Sequence, residues 1–470
     1  MKSRIAGCLL ASAAAACATS KPSTQAQREE AGLGIPVQYE KLPNGLKVVL
    51  STDRTAPTAV VGVYYGIGFR LEPRDRTGFA HLFEHMMFQG SQNLGKLQFI
   101  KLVQSNGGVL NGSTRFDFTN YYEVVPANTL ATVLWAEADR MKGLAITQEN
   151  LTNQQGVVKS EVRVNVLNRP YGGFPWLPMP QVANTNWFNA HNFYGDLKDL
   201  DAATLDDVQK FFQTYYAPNN AVLVITGDFD PAQAMAWVNQ YFGPIPRSQV
   251  PKRPDVAEPR QEEEKRVVQE DKLATRPALA FGYHVPPRGT PEWYAMGLLR
   301  ELLAGGRDSL LYQSIVQKRG LAGDVSADIN ELGSQFNIQG PTLLDFYLFH
   351  DKDKSPDDIL AAADEQIEKL RTAPVDAAML QRAKIKMRAH IYENLEQLFG
   401  FGRADLLAAY ALFEDAPEKV NQLEPEFEKV TPELLQKTAQ EWLRKTNRTV
   451  LVVTAGAADK EKRGSAGGAP

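Results

Sequence analysis

The residues best placed to do chemistry are His81, Glu84 and His85, in the run His81-Leu82-Phe83-Glu84-His85. On a helix, positions four apart share a face about one turn apart, so both imidazoles can close on one ion. Glu84 sits on the same side and can aim its carboxylate at the same space. Neutral imidazoles and a carboxylate suit zinc, which prefers a tetrahedral N/O shell. A catalytic zinc takes three protein ligands and keeps a fourth position for water, so the run supplies two ligands and a base and lacks a third ligand. The chain holds only six histidines, which makes this spacing an unusual accident. The plainer alternative is a pair of histidines on an amphipathic helix; the apolar flank of Leu82, Phe83, Met86 and Met87 argues against a solvated face.

Several elements must position this run. Leu46–Leu50 and Ala59–Tyr65 are β-rich runs separated by a polar turn. Helices are expected over Thr77–Met87, over Leu97–Gln104 up to the Gly107-Gly108 pair, over Leu130–Met141 and over Glu149–Val166; Leu110–Val125 alternates as paired strands. Two stretches echo each other. Thr204 opens a helix that leads into the apolar run from Ala221, and Thr431 opens a helix that leads into the run from Thr449. A weaker echo relates Thr77–Leu94 to Pro291–Leu310. The order of the echoes is preserved, which predicts a duplicated α+β domain, each copy a mostly antiparallel sheet packed with helices. The break is expected in the Pro- and charge-rich stretch 247–270, between a first domain at 36–246 and a second at 271–457.

The chain has 470 residues, too many for one ordinary core, with 43% hydrophobic and 23% charged residues. A formal charge of -4 without a dense basic run gives no footprint for nucleic acid. Lys2 and Arg4 precede a short apolar stretch to Cys17, which reads as a signal peptide over 1–17. A disordered, Ala-rich start of a cytosolic protein is the alternative. No later run reaches ~18 uninterrupted apolar residues, so no membrane-spanning helix is expected in the mature chain. Both cysteines, Cys8 and Cys17, lie in this segment, so the rest has neither a disulfide framework nor a Cys metal site. Ala14-Ala15-Ala16-Cys17 resembles a lipoprotein cleavage box, with a plain signal-peptidase site among the alanines as its competitor. Either implies export, and a periplasmic, lipid-anchored protein if Cys17 is the acylated residue. Residues 18–35 read as a polar tether and 458–470 as a disordered tail.

With these pieces in order, the sequence resembles the pitrilysin/insulinase family of inverted-zincin metallopeptidases, in the shorter subclass that includes mitochondrial processing peptidase. The resemblance rests on Leu42-Pro-Asn-Gly, the run from Gly78 to Gly90, Thr119-Asn-Tyr-Tyr, Val157-Val-Lys-Ser-Glu161, and Tyr215-Tyr-Ala-Pro-Asn-Asn. It implies one Zn2+ per chain, with Glu161 as third ligand and Glu84 as general base of a peptide hydrolase. Without it, Glu161 is one acid among 55 and a solvated helix face is the better reading. It implies that Asn111 and Gly112 lie on a strand edge that holds an extended peptide; an ordinary turn before a strand is the alternative. It also implies half of a clamshell. Three departures stand out. Gln154 occupies a position where relatives often carry a further acid. Opposite His81, Glu84 and His85 the second copy has Gly297, Arg300 and Glu301, which cannot repeat the zinc site. Val316 and Gly323 stand where complete members carry an Arg and a Tyr that contact substrate. The resemblance therefore points to a homologous partner subunit carrying that pair, or to a homodimer; a weak enzyme, or Arg319 acting from a shifted position, is the competing account. The alternative of another class is a non-catalytic structural or peptide-binding subunit.

Overall fold

The computed structural model describes residues 32–456. Strands β1 (Gln38–Lys41), β2 (Lys47–Thr52), β3 (Thr58–Tyr65), β4 (Val109–Thr114), β5 (Thr119–Pro126) and β6 (Ala221–Gly227) form one sheet in the order β1-β2-β6-β3-β5-β4. Strands β7 (Lys265–Asp271), β8 (Ala278–His284), β9 (Ser326–Ile329), β10 (Leu343–Phe349) and β11 (Arg448–Ala455) form the second, in the order β7-β11-β8-β10-β9.

The duplication expected from the two echoes is visible in the pairing. In the first sheet β2 runs parallel to β6, β3 is antiparallel to β6 and β5, and β4 is antiparallel to β5. In the second, β7 runs parallel to β11, β8 is antiparallel to β11 and β10, and β9 is antiparallel to β10. Strand β1 is the one addition. The Thr-opened helices occupy equivalent places. Thr204 caps Leu205–Tyr215 with a reciprocal bond to Asp207, and Thr431 caps Pro432–Trp442 through the Leu434 N–H.

Both faces of the first sheet are buried, which is why its central strands read as continuous apolar runs rather than alternating ones. Val48, Leu50, Val61, Val63, Leu223 and Ile225 face the core that holds the helix Phe79–Met86. Val49, Val60, Val222 and Val224 join a larger core shared with the second half. The cover on that side is the helix Ala377–Glu414, which breaks at Gln397–Gly400. After the break, Asp405 accepts a hydrogen bond from Tyr64 at 3.0 Å, and Phe401 stacks on Tyr122 at 3.7 Å between centroids. The favour is returned on the other sheet. Ala278, Ala280, Leu343, Leu451 and Val453 are covered by Met179 and Ala183, from the long connection of the first half. Each half thus lends a segment to close the other's sheet.

Two boundary expectations need correction. The connection assigned to 247–270 ends in β7, whose Val267 pairs in parallel beside Leu451. As an edge strand it leaves Arg266, Val268 and Glu270 near solvent, and its charges give it the look of a linker. The tether assigned to 18–35 is docked at its end. Ile35 is buried, its N–H donates to Asn421 Oδ1 at 2.8 Å, and Asn421 Nδ2 donates back to its carbonyl at 2.9 Å. The signal segment 1–17 with Cys17, residues 18–31 of the tether and the tail 458–470 lie outside the described residues.

Because one helix serves both halves, they should unfold together. Leu407→Ala, at a fully buried position after the helix break, is expected to cost about 2–5 kcal/mol in urea denaturation while keeping a single transition. Two separated transitions in the parent protein would contradict the shared core.

Candidate metal centre

The helix Phe79–Met86 has no side-chain cap of its own at Gly78. Its first turn is satisfied from a distance: the buried Glu72 carboxylate accepts the N–H groups of Gly78 at 2.8 Å and Ala80 at 2.5 Å. A carboxylate there satisfies orphan donors and complements the helix dipole. Burial raises the Glu72 carboxyl above its ordinary range, with His191 Nε2, 3.7 Å away, opposing that shift. Gly78 itself has φ +82, and a Cβ on it would lie 2.5 Å from the Tyr194 carbonyl oxygen. Glycine is required on both counts. The segment behind it is tied down through Thr77, which accepts from the Asp196 N–H at 2.8 Å and donates to Asp199 at 2.5 Å.

From this anchored start, His81 and His85 project to one side with their rings edge to face, 4.9 Å apart. Glu161, near the end of the helix Gln148–Val162, reaches them from across the gap. Its Oε2 is 3.6 Å from His81 Nε2 and 3.3 Å from His85 Nε2. Among the described residues, this trio is the only group of three His, Cys, Asp or Glu donors whose ligand atoms lie within 4.8 Å of one another. Zinc bonds of 2.0–2.1 Å at tetrahedral angles place neighbouring ligand atoms about 3.3–3.4 Å apart, so the two separations to Glu161 suit one such ion. The electrostatics agree. Burial pushes the His81 imidazole down to about 4, keeping it neutral and able to donate a lone pair. Burial works against the Glu161 carboxylate, but the hydrogen bond and charge of His85, with His81 and Tyr194, hold its pKa below the usual range.

Glu84 points into the same space beside the pair. Its Oε2 accepts from Thr114 Oγ1 at 2.7 Å. Burial raises its carboxyl, and the Thr114 bond and the nearby His85 and Arg115 pull it back. Gly112 lies against it: a Cβ there would sit 3.3 Å from Glu84 Cγ and 3.2 Å from Tyr121 Cδ1. Asn111 and Gly112 fall inside β4, so the alternative of a plain turn does not hold. β4 is the last strand of its sheet. Asn111 is exposed and its Oδ1 accepts the adjacent Gly112 N–H; it does not touch the trio.

Two contributions escaped the sequence. Glu72 carries no motif that marks it as a distant helix cap. The stretch Asn168–Asp201 serves two places at once: Met179 covers the second sheet, while Phe193 and Tyr194 each pack on the His81 ring at 5.1 Å. Tyr194 also donates its hydroxyl to Glu161 Oε1 at 3.2 Å. Gln154 is buried but turns to Asn153 Oδ1 at 2.8 Å.

The equivalent place in the second half holds no such trio. Arg300 pairs with Glu301 and donates from Nε to the Ala327 carbonyl at 2.8 Å. Glu301 in turn meets His390 Nδ1 at 3.0 Å. Here the acid lies on the helix Pro291–Ala304 and the imidazole on the helix Ala377–Glu414, and the acid is shared with a guanidinium. Val316 packs on the core, Gly323 is exposed, and the Arg319 guanidinium is paired with Glu365.

Comparison with known proteins matches residues 47–170 to the family model described as insulinase (peptidase family M16), and residues 202–387 to that of the peptidase M16 inactive domain. The zinc protease PqqE of Helicobacter pylori is 26% identical over 422 residues, covering 87% of this chain and 91% of its own. A protease from Helicobacter pylori of known structure superposes with a TM-score of 0.81 at 25% identity, covering 89% of this chain and all of that one. The periplasmic protease PqqL from Escherichia coli superposes at 0.71 and 17% identity, over 90% of this chain but only 48% of its own length.

The depressed His81 value has a consequence for the metal-free protein. The unfolded chain takes up that proton near 6.5 and the folded one near 4, so the stability is present above 6.5 and lost as pH falls toward 4. Urea titrations should show a loss of up to about 3 kcal/mol across that window. His81→Phe should remove this component, and an identical pH profile in the variant would contradict it.

Proposed function

The chain belongs to the pitrilysin/insulinase (M16) peptidase family, and from that premise we propose that it is a zinc-dependent endopeptidase acting on peptides or unfolded protein segments. The observation that carries this reading is the convergence of His81, His85 and Glu161 within the span of one tetrahedral ion, with Glu84 held beside them. His81, His85 and Glu161 would hold the zinc. When bound, zinc supplies a water acidic enough to ionise near neutral pH and polarises a carbonyl. Glu84 takes the proton from the attacking water and hands it to the leaving amine. Its raised pKa brings it closer to a working pH, and the Thr114 hydroxyl fixes the carboxylate's orientation.

The free edge of β4 supplies the cradle. An extended substrate adds to it as a further strand through main-chain hydrogen bonds, with Asn111 and Gly112 at the level of Glu84. The small residue at 112 leaves room for the Glu84 side chain against the strand.

The second half contributes no Arg–Tyr pair at Val316 and Gly323, and Arg319 is engaged with Glu365. Loss of one oxyanion donor elsewhere costs about 100- to 1000-fold in rate. A homologous partner subunit carrying that pair is therefore part of the reading, with a homodimer as the weaker form. The match to slightly less than half of Escherichia coli PqqL supports a working unit built from two such chains. An exported location, with a lipid anchor at Cys17, is part of the same proposal and rests on the leader-like run that ends at Cys17.

A non-catalytic subunit is the reading of another class. The inactive-domain model falls on residues 202–387, which begin in the last helices and strand of the first half but include neither the trio nor Glu84, so it does not favour that alternative.

Glu84→Gln is expected to retain zinc and to lose at least about 100-fold in hydrolysis of a quenched peptide library. Chelation should abolish the parent activity and added zinc restore it. Hydrolysis that survives Glu84→Gln would sink the mechanism, and full activity of the chain alone, measured with and without a related subunit, would sink the pairing.

A further inference from the structure

We propose that Tyr194 is a positioning residue for the metal, its hydroxyl fixing the Glu161 carboxylate so that a single oxygen faces the two imidazoles. The inference rests on the ligand assignment above and adds to it a residue that the motifs do not contain.

Glu161 is the least constrained member of the trio. Its side chain is 27% exposed, against 4% for His81 and 20% for His85. It hangs near the end of its helix, where the chain passes into a wider π-type turn over Arg163–Leu167. A glutamate in such a place can offer an ion either oxygen or both. The two oxygens here have different neighbours: Oε1 accepts from the Tyr194 hydroxyl at 3.2 Å, while Oε2 faces His81 Nε2 and His85 Nε2. Tyr194 is the only hydroxyl or amide hydrogen-bonded to this carboxylate among the described residues. Gln154, two turns earlier on the same helix, is turned to Asn153 and does not help.

The hydroxyl can impose an orientation because its ring is itself immobilised. Tyr194 is edge-on to His81 at 5.1 Å and to Phe193 at 4.9 Å, with Trp176 at 6.1 Å. Its N–H donates to Asn192 Oδ1 at 2.8 Å. Its carbonyl abuts Gly78, the residue from which the helix bearing both imidazoles starts. Asp196, two residues on, is bonded to Thr77. The third ligand is thus referenced to the first two through Tyr194, although they come from different helices. Partners of this kind are worth about 10- to 100-fold in metal affinity.

The test is Tyr194→Phe, which keeps the ring and removes the hydroxyl. Zinc affinity, measured by competition with a chromogenic chelator, should fall about 10- to 100-fold. The visible spectrum of the cobalt-substituted protein should change as the carboxylate is freed to bind through both oxygens, and the metal-free protein should lose no more stability than one hydrogen bond to a charged group accounts for. Phe193→Leu, which loosens packing on His81 but leaves the hydroxyl, should preserve the cobalt spectrum. Parent-like zinc affinity and cobalt spectrum in Tyr194→Phe would overturn the proposal, as would an equal spectral change in Phe193→Leu. Glu161→Gln separates the two levels. If it leaves zinc affinity untouched, the ligand assignment fails and the Tyr194 role with it; if it weakens zinc while Tyr194→Phe does not, the Tyr194 role alone fails.

Discussion

A carboxylate from one helix meeting two imidazoles from another, in a partly buried space, is the constraint around which the first half is arranged. Such a meeting is unfavourable by itself, because desolvating a charge costs several kcal/mol unless it is paired. The protein offsets this locally: the imidazole most deeply buried is kept neutral, and the carboxylate accepts from Tyr194 on one oxygen while the other faces His85. The remaining requirement is precision in where the two helices sit. Glu72 meets it from beneath Gly78 and the segment 191–199 from outside, so the imidazole-bearing helix is held at its start rather than only by its apolar face.

That local order depends on an exchange between the halves. The connection that packs Phe193 and Tyr194 against His81 also supplies Met179 and Ala183 to the second sheet. The helix that belongs to the second half closes the outer face of the first sheet after its break. The second half shares the architecture of the first but not its side chains: where the first has paired imidazoles and an acid, it has an Arg300–Glu301–His390 cluster. Its contribution to the first half is structural, and a contribution to catalysis would have to come through contacts this chain does not make by itself.

Much of this was legible in the sequence because the signals were local. The spacing of His81, Glu84 and His85 is a statement about one helical turn, and the Thr204 and Thr431 caps announce their helices within a few residues. The duplication followed from repeats that survive as apolar runs, whereas the order of strands within each sheet did not. Glu161 needed the family resemblance, since nothing near it distinguishes a ligand from a solvated acid. Glu72 and Tyr194 were not legible at all. Each acts across a fold-dependent gap, Glu72 upon a helix start that lacks its own cap and Tyr194 upon a carboxylate 33 residues earlier. The charged edge strand β7 passed for a linker because edge positions are polar for the same reason that linkers are.

The most direct measurement is X-ray absorption at the zinc edge on protein loaded with one equivalent of zinc. The account predicts a four-coordinate ion with two imidazole scatterers and oxygen ligands at about 2.0–2.1 Å. A six-coordinate oxygen shell without imidazole scattering, or a protein that takes up no zinc, would contradict it.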